Sequence, residues 1–119
     1  MNKRETGNKF ESIAVEYLKN LNYKIIERNF YSKFGEIDII VLKEKRISAI
    51  EVKYRKNPIV SIFETIPHSK IKKIEKTLYF YLVKNNYSDN YDLGIDALLI
   101  EEKKNKQEVH FIKNIQLNY

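Results

Sequence analysis

A chain of 119 residues that is 43% hydrophobic and 13% aromatic, with three glycines and two prolines, is long enough for one domain with a real core, and its composition is neither collagen-like, linker-like nor disordered. Cysteine is absent, which removes disulfides, thiolate zinc sites, iron–sulfur clusters and a catalytic thiol; no apolar run approaches the ~18 residues of a membrane span, and Met1 to Phe10 carries charges of both signs, so the chain reads as a soluble cytoplasmic protein. The net charge is +6 and its excess lies in the middle third: residues 41–80 carry 10 basic and 4 acidic side chains, against 7 and 6 before them and 5 and 6 after, a pattern that points to an anionic partner.

Lys9 to Leu21 places Phe10, Ile13, Ala14, Tyr17, Leu18 and Leu21 at spacings of three and four, which predicts a first helix with one buried stripe. Tyr23 to Phe30 suits a strand, and after the break at Ser32-Lys33 a second strand runs from Gly35 to Leu42. Lys43-Glu44-Lys45 reads as a polar turn, and Arg46 to Tyr54 returns as the second arm of an antiparallel hairpin. Arg55 to Pro67, with both prolines, reads as a loop containing at most a short extended or helical piece at Val60 to Ile66. From Ser69 to about Asn85-Asn86 a second helix buries Ile71, Ile74, Leu78, Tyr81 and Leu82 and keeps most of Lys70, Lys72, Lys73 and Lys76 elsewhere on its surface. Leu93 to Ile100 and Val109 to Ile115 are two closing strands around a charged turn, Glu101 to Lys106. The order is α-β-β-β-α-β-β, an α/β class chain read as a single domain over residues 1–119 without internal repeats.

Side chains alternate along a strand, so Glu36, Asp38 and Ile40 share one side of the first hairpin arm with Ile37, Ile39 and Val41 opposite. In the returning arm Glu51 and Lys53 share a side, opposite Ile50, Val52 and Tyr54. A register that aligns those sides brings Asp38, Glu51 and Lys53 into one pocket. Acids and an amine inside apolar strands are costly unless they are paired, hydrated or bound to metal. Asp38 and Glu51, with the Val52 carbonyl, offer hard oxygen ligands for Mg²⁺, or Mn²⁺ in its place, and such a metal serves phosphodiester hydrolysis by activating water and neutralising charge. Lys53 would orient the attacking water or stabilise the pentacovalent phosphate. Glu-x-Lys alone is a weak signal, because it recurs at Glu101/Lys103 and Glu102/Lys104 in what reads as a solvated turn. On the residues alone, a plain salt bridge is the other reading of Glu51 and Lys53.

Gly35-Glu36-Ile37-Asp38-Ile39-Ile40 followed by Ile50-Glu51-Val52-Lys53-Tyr54-Arg55 resembles the signature of the YraN-like family of uncharacterised small bacterial proteins. Gly7, Glu11, Ala14, Tyr17 and Leu18 resemble its opening helix and Arg28-Asn29-Phe30 the segment before its first motif, so the likeness covers nearly the whole chain. That family is similar to the restriction-endonuclease-like, PD-(D/E)xK nucleases, particularly archaeal-type Holliday-junction resolvases. The resemblance implies a restriction-endonuclease-like fold with a mixed central sheet of about five strands flanked by helices. It further implies Asp38 and Glu51 as metal ligands, Lys53 as catalytic lysine, and Glu11 as an acid projected from the first helix toward the same metal. Two positions depart from the pattern: Gly94-Ile95 precede Asp96 where the family bears Arg-Phe, and Ile71 follows Lys70 where glutamine is common.

Other residues carry competing readings. Glu11 alone is a solvated helix acid; Glu36 is either a helper acid beside the metal or simply exposed at the strand entrance; Asp96 calls for a structural partner, by default a helix lysine. His68 and His110 lack zinc spacing and read as surface residues. Lys70, Lys72, Lys73 and Lys76 make either a solvated helix face or, with Arg46, Arg55 and Lys56, a phosphate track beside the site. Tyr17, Tyr79 and Tyr81 fall where helix packing uses them, which leaves Tyr31 and Tyr54 as DNA-facing aromatics. The leading expectation is a Mg²⁺-dependent endonuclease acting on branched or structured DNA, with a homodimer suited to paired nicks. A non-catalytic nucleic-acid-binding accessory on the same fold is the alternative, and a protein-interaction domain the third.

Overall fold

The computed structural model describes residues 3–56 and 66–118. Helix α1 (Lys3–Asn20) is followed by β1 (Lys24–Ser32), β2 (Gly35–Lys43), β3 (Arg46–Arg55), helix α2 (His68–Lys84), β4 (Asp92–Lys103), β5 (Lys106–Ile112) and a terminal 3-10 turn at Ile115–Asn118. One five-stranded sheet has the spatial order β1-β2-β3-β4-β5. Three of its pairings are antiparallel, and β3 with β4 is parallel. A parallel pair needs a crossover, and α2 lies within it. The mixed sheet, its two flanking helices and the element order are those expected of the restriction-endonuclease-like fold. No helix among the described residues is long and apolar enough to cross a membrane.

Each helix covers one face. Phe10, Ala14 and Leu18 of α1 pack on Ile39, Val41, Ile50, Leu98 and Ile100; Ile71, Ile74 and Leu78 of α2 pack on Ile40, Ile47, Ala49, Ile95 and Leu99. Strand alternation follows from this: odd-numbered residues of β3 face α2 and even-numbered ones face α1. Burial of the larger of these side chains, Phe, Leu, Ile and Val, worth ~1.5–3 kcal/mol each before conformational entropy is counted, holds the three layers together.

Several boundaries move. α1 starts six residues before the expected Lys9 and ends before Leu21, which is partly exposed beyond the helix. There Asn22 takes a left-handed φ of 68° and the Tyr23 amide donates to the Leu18 carbonyl at 3.0 Å, closing the helix end. The expected turn from Glu101 to Lys106 is largely strand: β4 and β5 pair out to Lys103↔Lys106, and the reversal is made by Lys104 and Asn105 alone, at φ 46° and 67°. Two consecutive left-handed residues make the tight turn that suits strand twist. β5 correspondingly ends at Ile112, and Ile115 opens the 3-10 turn. The piece expected at Val60 to Ile66 falls, apart from Ile66, outside the described residues.

Asp96 pairs with a strand arginine in place of a helix lysine. Arg46 grips it with two hydrogen bonds, at 2.9 and 2.7 Å, and reaches Asn114 Oδ1 at 2.7 Å. Asp96 is 0% exposed, and among the described residues Arg46 supplies its counter-charge while the Asn114 amide donates to Asp96 Oδ1 at 2.8 Å. A β-carbon at Gly94 would collide with the Arg46 guanidinium. The guanidinium that the family resemblance places at position 94 therefore comes in this chain from β3, through space that glycine leaves free.

Candidate active site

The site forms where β2 and β3 part. Their ladder runs from Lys43↔Arg46 to Ile39↔Ile50 and stops there. The next residue of β2, Asp38, turns its carboxylate into the gap, where the Val52 amide donates to Oδ2 at 2.9 Å. Strict alternation fails at this point, since Ile37 packs with Ile40 on the α2 side while Ile39 and Val41 pack on the α1 side. The expected grouping of Ile37 with Ile39 and Val41 is thus corrected: a strand leaving its partner is free to twist, and Asp38 takes up the unpaired amide.

Around this fork lies a cleft of about 720 Å³ lined by Gly7, Phe10 and Glu11 of α1, Glu36 and Asp38 of β2, Glu51 to Arg55 of β3, and Lys70 of α2. Asp38, Glu51, Lys53, Val52 and Glu11 are all brought together as the sequence pattern and the resemblance expected. Glu51 is buried, its side chain 6% exposed, and two ammonium groups attend its Oε1: Lys70 at 2.6 Å and Lys53 at 3.7 Å. Glu11 is half-buried, and its Oε1 is buried with no hydrogen-bond partner among the described residues.

The electrostatics follow from crowding charge into a shielded space. Burial, then the neighbouring Glu51 carboxylate, pushes Asp38 up to about 7. Burial also raises Glu11, against the pull of Arg28 and a hydrogen bond from Asn29, with Glu36 and Glu51 adding repulsion. Lys53 is lowered, first by burial and then by Lys70 beside it. Burial would lower Lys70 too, yet the hydrogen bond and charge of Glu51 outweigh it and raise that ammonium. The cleft is thus acid-rich and short of positive charge at Glu11 and Asp38, while Glu51 already has a partner.

The basic residues divide. Arg55 lines the cleft, exposed Lys56 follows it, and Lys73 with Lys70 lines an adjoining hollow of about 240 Å³. Arg46 does not join them, because it is committed to Asp96 at the opposite end of β3. Tyr54 stacks on Phe10 with ring centroids 3.8 Å apart, so its ring is used in packing, while Tyr31 is 67% exposed. Tyr79, expected in the helix core, is also exposed.

Two features lay beyond the sequence reading. Asn29 takes a left-handed φ of 52° within β1, and its side chain favours the charged form of Glu11 against burial; an asparagine inside a strand was the available signal. On the other hairpin, Glu101 is buried in β4 and stands directly opposite Glu108, with His110 beside them, and one ligand atom from each of these three lies within 4.8 Å of the others. Lys103 lies between the two carboxylates, at 3.4 Å from Glu101 and 3.5 Å from Glu108. The ligand atoms of Glu11, Asp38 and Glu51 do not draw together within that limit.

A family model described as "Uncharacterised protein family UPF0102" matches residues 10–100. A UPF0102 protein of Fusobacterium nucleatum is 44% identical over 116 residues, covering 97% of this chain and 93% of its own length. One from Helicobacter pylori is 46% identical over 103 residues, 85% of each chain, and one from Campylobacter fetus is 40% identical over 109 residues, 92% of this chain and 91% of its own.

Proposed function

The chain belongs to the uncharacterised UPF0102 family, which is the YraN family of the motif resemblance, and from the chemistry of its cleft we propose that it is a metal-dependent endonuclease hydrolysing phosphodiester bonds in branched or structured DNA. One observation carries the reading: Glu11, Asp38, Glu51 and Lys53, drawn from three elements, line a single cleft in which burial disfavours the charge on Glu11 and Asp38.

The donor set fits a hard divalent cation. Glu11 Oε1 is a buried oxygen without a hydrogen-bond partner among the described residues, and Asp38 is oriented through one oxygen by the Val52 amide. Glu11, Asp38 and Glu51 would hold Mg²⁺ or Mn²⁺, with the Val52 carbonyl as a further ligand. When bound, the ion supplies an activated water and charge neutralisation at the phosphate. The protein's own groups do the rest. The Val52 amide fixes the Asp38 carboxylate in the fork. Lys53, with its lowered affinity for a proton, orients the attacking water or, as an ammonium, stabilises the pentacovalent phosphate. Arg55, Lys56, Lys70 and Lys73 neutralise backbone phosphates at the cleft rim without reading bases. Paired nicks across a branch need two clefts, which a C₂ homodimer provides.

The open spacing of the three acids and the ion pair between Lys70 and Glu51 favour a second reading, a non-cleaving nucleic-acid-binding accessory on the same fold. The deciding experiment is cleavage of labelled linear, single-stranded, flapped and four-way-junction DNA with Mg²⁺ or Mn²⁺, wild type beside Lys53→Ala. Cleavage by wild type alone is the expected result. Binding that weakens with salt but is never followed by cleavage transfers the conclusion to the accessory.

A further inference from the structure

We propose that Lys70 is the resident counter-ion of this cleft: in the metal-free protein its ammonium neutralises Glu51, and a divalent cation binds by exchanging for it. The inference rests on the metal-dependent reading above. Glu51 is buried, and an unpaired carboxylate there is costly, so some cation must stand against it whenever metal is absent. Lys53 is poorly placed for that task, at 3.7 Å, whereas Lys70 meets the same oxygen at 2.6 Å.

The two lysines also differ in freedom to leave. Lys53 is fixed two residues from Glu51 in a central strand. Lys70 comes from the first turn of α2, a different element, and its side chain is 39% exposed, so it can withdraw to water without disturbing the sheet. Two ammonium groups and a divalent cation cannot share one carboxylate without strong repulsion. The mobile one departs. It stays on the cleft wall beside Lys73, where the incoming phosphodiester backbone takes over its charge. Metal binding and DNA binding are thereby coupled: each fills a demand that Lys70 otherwise meets or creates.

Mn²⁺ titration followed by the electron-paramagnetic signal of the free ion tests this, using full-length wild type, Lys70→Gln, Lys70→Arg, Lys72→Gln and Glu51→Gln. Exchange requires that Lys70→Gln bind Mn²⁺ roughly tenfold tighter than wild type, because the competing state is removed. Lys70→Arg should match wild type. Lys72→Gln, which removes the same charge from an exposed neighbour, should stay within about twofold. In thermal melts Lys70→Gln should lose stability in EDTA and regain more than wild type on adding Mn²⁺. Equal or weaker binding by Lys70→Gln, with wild type binding and Glu51→Gln not, overturns the exchange and leaves the nuclease reading standing. An equal gain in Lys72→Gln also overturns it, since a general field effect then explains the result. If no form binds Mn²⁺, the metal-dependent reading falls and the exchange falls with it.

Discussion

Lys70 lies 2.6 Å from Glu51 although 18 residues of chain separate them from one element to the next, while Lys53, only two residues from Glu51, stands at 3.7 Å. The helix lysine keeps its proton and the strand lysine is eased toward losing one. Two lysines in one cleft therefore have different chemistry available to them.

Replacing Lys53 separates its two roles. Arginine preserves charge but cannot release a proton. If the Lys53 amine handles a proton of the attacking water, Lys53→Arg should lose cleavage as fully as Lys53→Ala, by about 10²–10⁴-fold. Recovery of most activity in Lys53→Arg, measured by single-turnover cleavage, would show that only its charge matters.

The pH dependence of stability reports on Asp38. Its carboxyl is raised from 3.8 to about 7, so the folded chain without metal holds a proton that the unfolded chain has already lost. Stability must therefore fall as pH rises through that window, and the whole loss is in place above it. Asp38→Asn keeps an acceptor for the Val52 amide and removes the charge. In EDTA it should be more stable than wild type by about 1–3 kcal/mol at pH 8 and equal to it near pH 4, by urea unfolding. A difference that does not change with pH rules this account out.

The hairpin end offers a separate test of charge pairing. Glu101 and Glu108 face each other across the ladder, and Lys103 bridges them. Like charges opposed on a sheet repel, so Lys103→Ala should lower the urea midpoint. The loss should shrink when Glu108→Gln is added, and a full additive loss in the double variant would mean that Lys103 acts elsewhere.

Gly94 is held small by Arg46. Gly94→Ala places a methyl group where the guanidinium lies, and displacing it leaves Asp96 buried without its main partner. The expected cost is about 3 kcal/mol or more in urea unfolding. The exchange Arg46→Ile with Gly94→Arg, which returns a guanidinium from β4, should recover much of it. A Gly94→Ala variant as stable as wild type would refute the packing argument.

DNA affinity should register the basic rim. Each phosphate contact removed lowers the slope of log affinity against log salt by about 0.9. Arg55→Gln with Lys56→Gln should therefore reduce the slope by about two, in filter-binding assays between low and moderate salt. An unchanged slope would place the DNA path away from this edge.

Much of this architecture was legible because the residues that pack are also the ones that repeat. Ile71, Ile74, Leu78 and Leu82 mark α2, and Ile47, Ala49, Glu51 and Lys53 alternate with Ile50 and Val52 in β3 as period two requires. The meeting of Asp38 with Glu51 in one cleft was the expected outcome too, although on the β2 side it is reached where alternation breaks and the strands part. What was not legible came from contacts distant in sequence. Nothing local tells Lys70 apart from Lys73, or assigns Arg46 to Asp96 fifty residues away. The tight turn at Lys104 and Asn105 is hidden in the sequence because charge density marks exposure poorly: Glu101 is buried within the paired strand, with Lys103 beside it.

The clamp between Arg46 and Asp96 has a consequence for the far end of its strand. β3 carries the clamp at one end and Glu51 with Lys53 toward the other, and its neighbour β4 runs beside it in step, Arg46↔Asp92 through Arg55↔Glu101. A slip of one residue would turn every side chain over, sending Ile50 and Val52 to the α2 side and Glu51 into the apolar layer under α1. Such a slip also drags Arg46 away from the position from which it reaches Asp96 by two hydrogen bonds. The clamp thus keeps the phase of the strand, and the orientation of the acid and amine in the cleft is maintained by a contact that never touches it.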